Sequence, residues 1–278
     1  MMRSAAIASL MLAALAVSAC STFDREGNAA ALAGKRGWAK TVVDGGRYRL
    51  ASFGPRQVRP EAGIVTVYIE GDGLAWLDAS TPSLDPTPKN AVGLQLAVAD
   101  GRDSVVYFAR PCQYVEGRDW GICSKKDWTD ARFSTAIVET YSGVLDRLKV
   151  QSGANGLELI GYSGGGAVAA LLAERRSDVV RLVTVASPLD VAAWVRHHDI
   201  SPLTGSLDPA DRAASLATLP QVHITGTADK VVPSAVLRSF VRRLPASTPV
   251  RVQDVDATHE CCWDRAWPSL RAQMGPAS

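Results

Sequence analysis

Leu159-Ile160-Gly161-Tyr162-Ser163-Gly164-Gly165-Gly166-Ala167 is the stretch from which the rest of this 278-residue chain is read. An apolar run, Leu157 to Tyr162, enters a Gly-x-Ser-x-Gly turn, and an Ala/Leu-rich stretch that reads as a helix over 165–176 leaves it. Small residues two before and two after Ser163 suit a tight turn in which any Cβ would collide with neighbouring backbone. Such a turn lifts the serine hydroxyl above the end of the strand, in front of a helix N-terminus that favours negative charge. The pattern alone is weak, since chance produces it in about one chain in ten of this length. The strand before it and the helix after it are what give it weight. A phosphate-binding turn is a poorer reading, because Gly161 to Gly166 lacks the P-loop lysine.

On both sides of this turn, short β-branched runs alternate with helical patterns. The runs are Tyr48 to Phe53, Ile64 to Glu70, Ser104 to Ala109, Leu157 to Tyr162, Arg181 to Ala186, Gln221 to Thr225 and Val250 to Asp254. Helices are expected at 89–99, 131–150, 165–176, 233–243 and 262–273. The alternation predicts a single α/β domain over 45–278, with a mainly parallel central sheet and helices on both faces. Segment 188–219 is broken by Pro202 and Pro209, so it suits a small cap or no lid. Composition excludes other classes. Hydrophobic residues at 47% against 21% charged rule out disorder over most of the length. A net charge of +2, from 30 basic and 28 acidic residues, gives no electrostatic reason to expect nucleic acid. No interior segment reaches the apolar length of a membrane span, which excludes a polytopic membrane protein.

Residues 1–19 read as a leader. Arg3 supplies a positive charge, and Ala5 to Ala19 is apolar apart from two serines and too short to span a bilayer. Leu15-Ala16-Val17-Ser18-Ala19-Cys20 resembles the lipobox of bacterial lipoproteins. That resemblance implies acylation of Cys20 and anchoring to a lipid bilayer by several chains together. Ser21 after the cysteine, rather than Asp, implies the outer membrane of a Gram-negative cell. An ordinary secreted protein with an incidental Cys20 is the alternative. Residues 20–44 are expected to be anchor and tether, and either reading puts the mature chain outside the cytoplasm.

Two further features follow Ser163 in order. Gly226-Thr227-Ala228-Asp229-Lys230-Val231-Val232-Pro233 comes directly after a predicted strand, at the edge where a parallel sheet carries its site. A turn or cap aspartate would read the same way. Asp256-Ala257-Thr258-His259-Glu260 lies beyond the last strand. Among four histidines, His197 and His198 fall in the Pro-broken segment and His223 falls inside a strand, which leaves His259. The order Ser163, Asp229, His259 is that of the α/β-hydrolases, and residues 45 to 275 resemble that superfamily. Val65-Thr66-Val67-Tyr68-Ile69-Glu70-Gly71-Asp72-Gly73 stands where the superfamily places its oxyanion loop, although many members have His-Gly there.

The resemblance implies a serine hydrolase acting on an ester-type bond, carboxylester or thioester, in a small-molecule acyl substrate. Ser163 would be nucleophile, His259 the base and Asp229 its orienting acid, with backbone N–H groups of Gly164 and Asp72, or Gly73 in its place, holding the oxyanion. This chemistry calls for no metal and no organic cofactor. A peptidase or acyltransferase with the same triad, or a catalytically silent envelope-binding lipoprotein of the same fold, are the alternatives.

Export leaves Cys112, Cys123, Cys261 and Cys262 in an oxidising compartment, with three possible pairings. Cys112–Cys123 is the simplest closure, a bond between the neighbours Cys261 and Cys262 needs an unusual backbone, and crossed pairing between the two loops competes. Zinc is a weaker reading, since no Cys-x-x-Cys spacing exists. The aromatics Trp76, Tyr114, Trp120, Trp128 and Trp263 either line an apolar pocket or pack the loops that carry them.

Overall fold

All seven apolar runs become strands; each is short and rich in β-branched residues, and all but the edge strand at the end of the chain, which has no buried residue, are largely buried. In the computed structural model, which describes residues 24–120 and 122–277, they join one more strand in an eight-stranded sheet. Chain order gives β1 Ala39–Asp44, β2 Arg49–Gly54, β3 Ile64–Ile69, β4 Val105–Phe108, β5 Gly156–Tyr162, β6 Val179–Val185, β7 Gln221–Gly226 and β8 Val250–Val255. Across the sheet the order is β1-β2-β4-β3-β5-β6-β7-β8, antiparallel at β1, β2 and β4 and parallel from β4 through β8. Every residue of β3, β4 and β5 is buried.

Helices cover both faces. α1 Arg25–Gly34, α2 Val92–Asp100 and α7 Trp263–Met274 share one apolar layer, built on Leu94, Leu96, Trp263 and Trp267. α3 Thr135–Ser152, α4 Gly164–Ala173 and α6 Ser234–Val241 share the other, with α5 Val191–His198 at its margin. This is the mainly parallel sheet with helices on both faces that the strand and helix pattern predicts.

Three elements depart from expectation. The tether assigned to 20–44 is structured from Asp24 onward. Asp24 caps α1, which buries Ala29 and Ala33, and β1 pairs with β2 as an edge strand. Both escape sequence reading because α1 buries only small alanines and β1 is largely solvent-facing, so neither carries a continuous apolar signal. Cys20 and the leader lie outside the described residues. In the Pro-broken segment, Asp190 caps α5 through the Ala193 N–H at 2.8 Å, and Asp208 caps a 3₁₀ stretch at Pro209–Leu216.

Two buried polar groups anchor the sheet away from the site. His223 is fully buried beside Thr184 and Gln221, and desolvation pushes its imidazole down to about 3, so it is a neutral core histidine at physiological pH. Glu158 on β5 accepts from Arg181 at 2.7 Å, from Arg271 at 2.9 and 3.0 Å, from Thr66 at 2.8 Å and from Arg102 at 3.3 Å.

Candidate active site

Ser163 stands where β5 turns into α4. Its backbone takes φ 50° and ψ −126°, a left-handed conformation rare for a residue with a side chain. The glycines around it are required by contact. A Cβ on Gly161 would overlap Gly165 and Gly166, one on Gly165 would overlap the carbonyls of Ile69 and Glu70, and one on Gly166 would overlap Ser187. The turn therefore packs against β3, β5 and β6 at once, which fixes the serine on a rigid support. Its N–H donates to the Val185 carbonyl at 2.8 Å.

Asp229 and His259 come from the loops after β7 and β8. Ser163 Oγ lies 3.0 Å from His259 Nε2, and His259 Nδ1 lies 2.8 Å from Asp229 Oδ2. The Asp229 carboxylate is buried, and its second oxygen accepts the N–H groups of Val231 and Val232, each at 2.8 Å. With Oδ1 occupied in this way, Oδ2 is held toward the imidazole. The His259 carbonyl accepts from Tyr162 Oη and from Trp263 Nε1, both at 2.8 Å. The histidine's own backbone is thus tied to the residue preceding the serine.

The Glu70–Gly73 turn passes directly over this serine, since a Cβ on Gly71 would sit 3.2 Å from that of Ser163. Within the turn, the N–H groups of Glu70, Gly71 and Leu74 are engaged, by Phe108 O, Glu70 Oε1 and Pro86 O respectively. No protein partner engages those of Asp72 and Gly73 among the described residues. Gly164 is the first residue of α4, so its N–H has no intrahelical partner either. Gln113, fully buried, donates to the Gly71 carbonyl at 3.0 Å and holds the turn from the β4 loop. Burial raises the Glu70 carboxyl, against hydrogen bonds from the N–H groups of Gly71, Gly93 and Leu94 and from the Tyr107 hydroxyl. For Asp72, burial also pushes upward, but Arg132 and Arg110 outweigh it and hold the carboxyl below its ordinary value. These two arginines are invisible to sequence reasoning, because nothing local to Arg110 or Arg132 marks either as a partner of Asp72.

Ser163 and His259 open into a cleft of about 1120 Å³. Its apolar wall is Trp76, Phe133, Trp194, Ile200, Leu203 and Val231. Of the aromatics considered from sequence, only Trp76 lines it. Tyr114 is buried edge-on to Phe53, Trp128 is buried and tilted against Trp120, and Trp263 is buried beneath His259. Those four pack loops. Trp194 replaces them, from the unforeseen α5. Its Nε1 donates to the Val231 carbonyl at 2.7 Å, and His198 Nε2 lies 2.8 Å from the same oxygen, so the small cap is fastened to the loop that carries Asp229.

The cysteines pair within their own loops. Cys112 bonds Cys123, with Cα atoms 5.9 Å apart, and Cys261 bonds Cys262. The neighbour bond is accommodated by a left-handed Cys262, φ 81°, at the start of α7. Crossed pairing does not occur: Cys112 is buried in the core, whereas Cys261 is exposed. Non-reducing peptide mapping is expected to recover each bond within its own loop and no peptide joining the two. A linked 112-to-262 fragment would contradict this arrangement.

The architecture recurs in solved structures. An esterase from Pyrococcus furiosus aligns with TM-score 0.59 at 13% identity, covering 86% of this chain and 90% of that one. An α/β serine hydrolase homologue from Coxiella burnetii aligns with TM-score 0.53 at 18% identity, covering 85% and 95%. A serine hydrolase without a lid, from Xanthomonas campestris, aligns with TM-score 0.51 at 17% identity, covering 85% and 91%. No protein-family model and no curated protein matches the chain.

Proposed function

We propose that this chain, whose fold is that of the α/β-hydrolases, is an exported and lipid-anchored serine hydrolase that cleaves an ester-type bond through an acyl-enzyme. The observation that carries the reading is the unbroken line Ser163 Oγ–His259 Nε2–Asp229 at 3.0 and 2.8 Å, ending on a strained serine beside unengaged backbone N–H groups. His259 Nε2 takes the hydroxyl proton as Ser163 Oγ attacks the carbonyl carbon, and Asp229 stabilises the imidazolium. The carbonyl π electrons move onto oxygen, where the N–H groups of Gly164 and Asp72 hold the oxyanion. The C–O bond to the alcohol then breaks, with the proton returned by His259. Water, deprotonated by the same imidazole, releases the acid. The apolar wall suits a substantial acyl or aromatic group, since the cleft reaches the upper end of ligand pockets, about 300–1,000 Å³.

The lipid anchor rests on the lipobox-like sequence ending at Cys20. Arg25, near the start of the described chain, bonds the Thr87 carbonyl at the segment that continues into the cleft wall at Pro88 and Lys89. Acylation of Cys20 would therefore hold this side of the domain near the bilayer. A fluorophosphonate probe is expected to label the full chain, and labelling is expected to vanish in Ser163→Ala. Absence of labelling in a folded, oxidised sample would favour a silent binding protein instead.

A further inference from the structure

An acidic side chain beside an oxyanion site opposes the charge that the site must stabilise. Asp72 is in that position. Its carboxylate packs on Gly164, where a Cβ would overlap it, and Gly164 and Asp72 carry the two backbone donors assigned above. This carboxylate is fully paired. Arg110 Nη1 donates to Oδ1 at 2.8 Å, and Arg132 Nη1 donates to Oδ2 at 2.8 Å. Both arginines are buried, at 4% and 6% exposure.

The arginines are held in turn. Arg110 Nη2 donates to the Arg132 carbonyl, Arg132 Nε donates to the Thr129 carbonyl at 2.5 Å, and the Arg132 guanidinium lies 5.8 Å from the Trp194 ring centre. They arrive from different places, Arg110 just after β4 and Arg132 just before α3. One carboxylate therefore joins three loops at the cleft wall. The adjacent Glu70 does not compete for them, since it has its own donors from Gly71, Gly93, Leu94 and Tyr107.

We propose that Arg110 and Arg132 are positioning residues of the oxyanion site: they fix Asp72 so that its N–H faces the developing charge, and they cancel the charge of its carboxylate. The proposal rests on the serine hydrolase reading. It explains how an acid is tolerated in a turn that faces a developing negative charge. It also makes an unusual demand. Removing Arg132 is harmful partly because it leaves Oδ2 of Asp72 without its donor, so removing the Asp72 charge as well restores activity.

The test is a double-mutant cycle in the full chain, with Arg132→Met, Asp72→Asn and both together. Readouts are kcat and KM for p-nitrophenyl butyrate, affinity for an alkylboronic acid that forms a tetrahedral anionic adduct on serine, and Tm. Arg132→Met is expected to lower kcat by about 30-fold or more, with KM within about threefold and boronic acid affinity falling in parallel. The double variant is expected to recover kcat by about fivefold or more over Arg132→Met. A purely structural role predicts the opposite, a double variant no better than Arg132→Met. Additive losses, a loss confined to KM, or kcat within twofold of wild type in Arg132→Met would each overturn the proposal. If Arg132→Met does not fold, Arg132→Gln carries the same cycle. A wild-type chain that neither hydrolyses the ester nor takes the fluorophosphonate label overturns the hydrolase reading, and this proposal with it. One that does both, without rescue in the double variant, overturns this proposal alone.

Discussion

His259→Gln is expected to lower kcat for a chromogenic ester by about 10⁴-fold or more while leaving Tm nearly unchanged. In the proposed mechanism the imidazole has a chemical duty and no comparable structural one. Its hydrogen-bond partners are Ser163 Oγ on one side and Asp229 on the other, whereas the backbone of the same residue is held by Tyr162 and Trp263 through its carbonyl. Glutamine keeps that carbonyl and removes the base. Asp229→Asn is expected to approach the same loss, because an amide nitrogen facing His259 Nδ1 favours the tautomer that cannot accept the serine proton. The two substitutions should be far from additive, since each disables one relay. Steady-state rates with both single variants and the double would check this. Turnover within tenfold of wild type in His259→Gln would remove His259 from the chemistry.

Glu158→Ala is expected to cost about 3–5 kcal/mol, a fall in Tm on the order of 10 °C, with little effect on kcat in the protein that remains folded. Glu158 has no solvent exposure, and Arg181, Arg271 and Arg102 converge on it. Removing it strands buried guanidinium groups, which costs more than the pairs contribute in excess of desolvation. Arg181 also donates to the carbonyls of Met274, at 3.0 Å, and Gly275, at 3.0 Å, so the C-terminal segment should loosen first. The same cluster sets an acid limit. Burial would raise the Glu158 carboxyl, but Arg271 and Arg181 more than offset it and hold it below the ordinary 4.5. Between those two values the unfolded chain binds the proton and the folded chain does not. The contribution is therefore complete above the ordinary value and lost as pH falls through the lower one. Thermal melts from pH 7 to pH 3 should show this loss in wild type and a shallower slope in Glu158→Ala.

Much of the molecule was legible residue by residue. The seven runs became strands because each carries its own β-branched, apolar signal, and such a signal needs no knowledge of what lies beside it. Gly161 and Gly165 were readable as contact positions, and the structure places backbone where their Cβ atoms would be. The order Ser163, Asp229, His259 was readable because each follows a recognisable strand, and parallel strands deliver their C-terminal ends to one edge. What lacked a local signal was missed. α1 buries only alanines, β1 faces solvent on its edge, and α5 lies between prolines.

By itself, then, the sequence determined the fold, the tight turn at Ser163 and the residues that meet at its edge, since periodicity, glycine placement and chain order are properties of neighbours along the chain. The tertiary structure alone decided that Arg110 and Arg132 meet on Asp72, that Trp194 rather than Trp263 lines the cleft, and that each disulfide closes its own loop. Those outcomes depend on where loops of no fixed periodicity run once the sheet has formed. Burial then forces each charge and ring to take whatever partner the packing supplies.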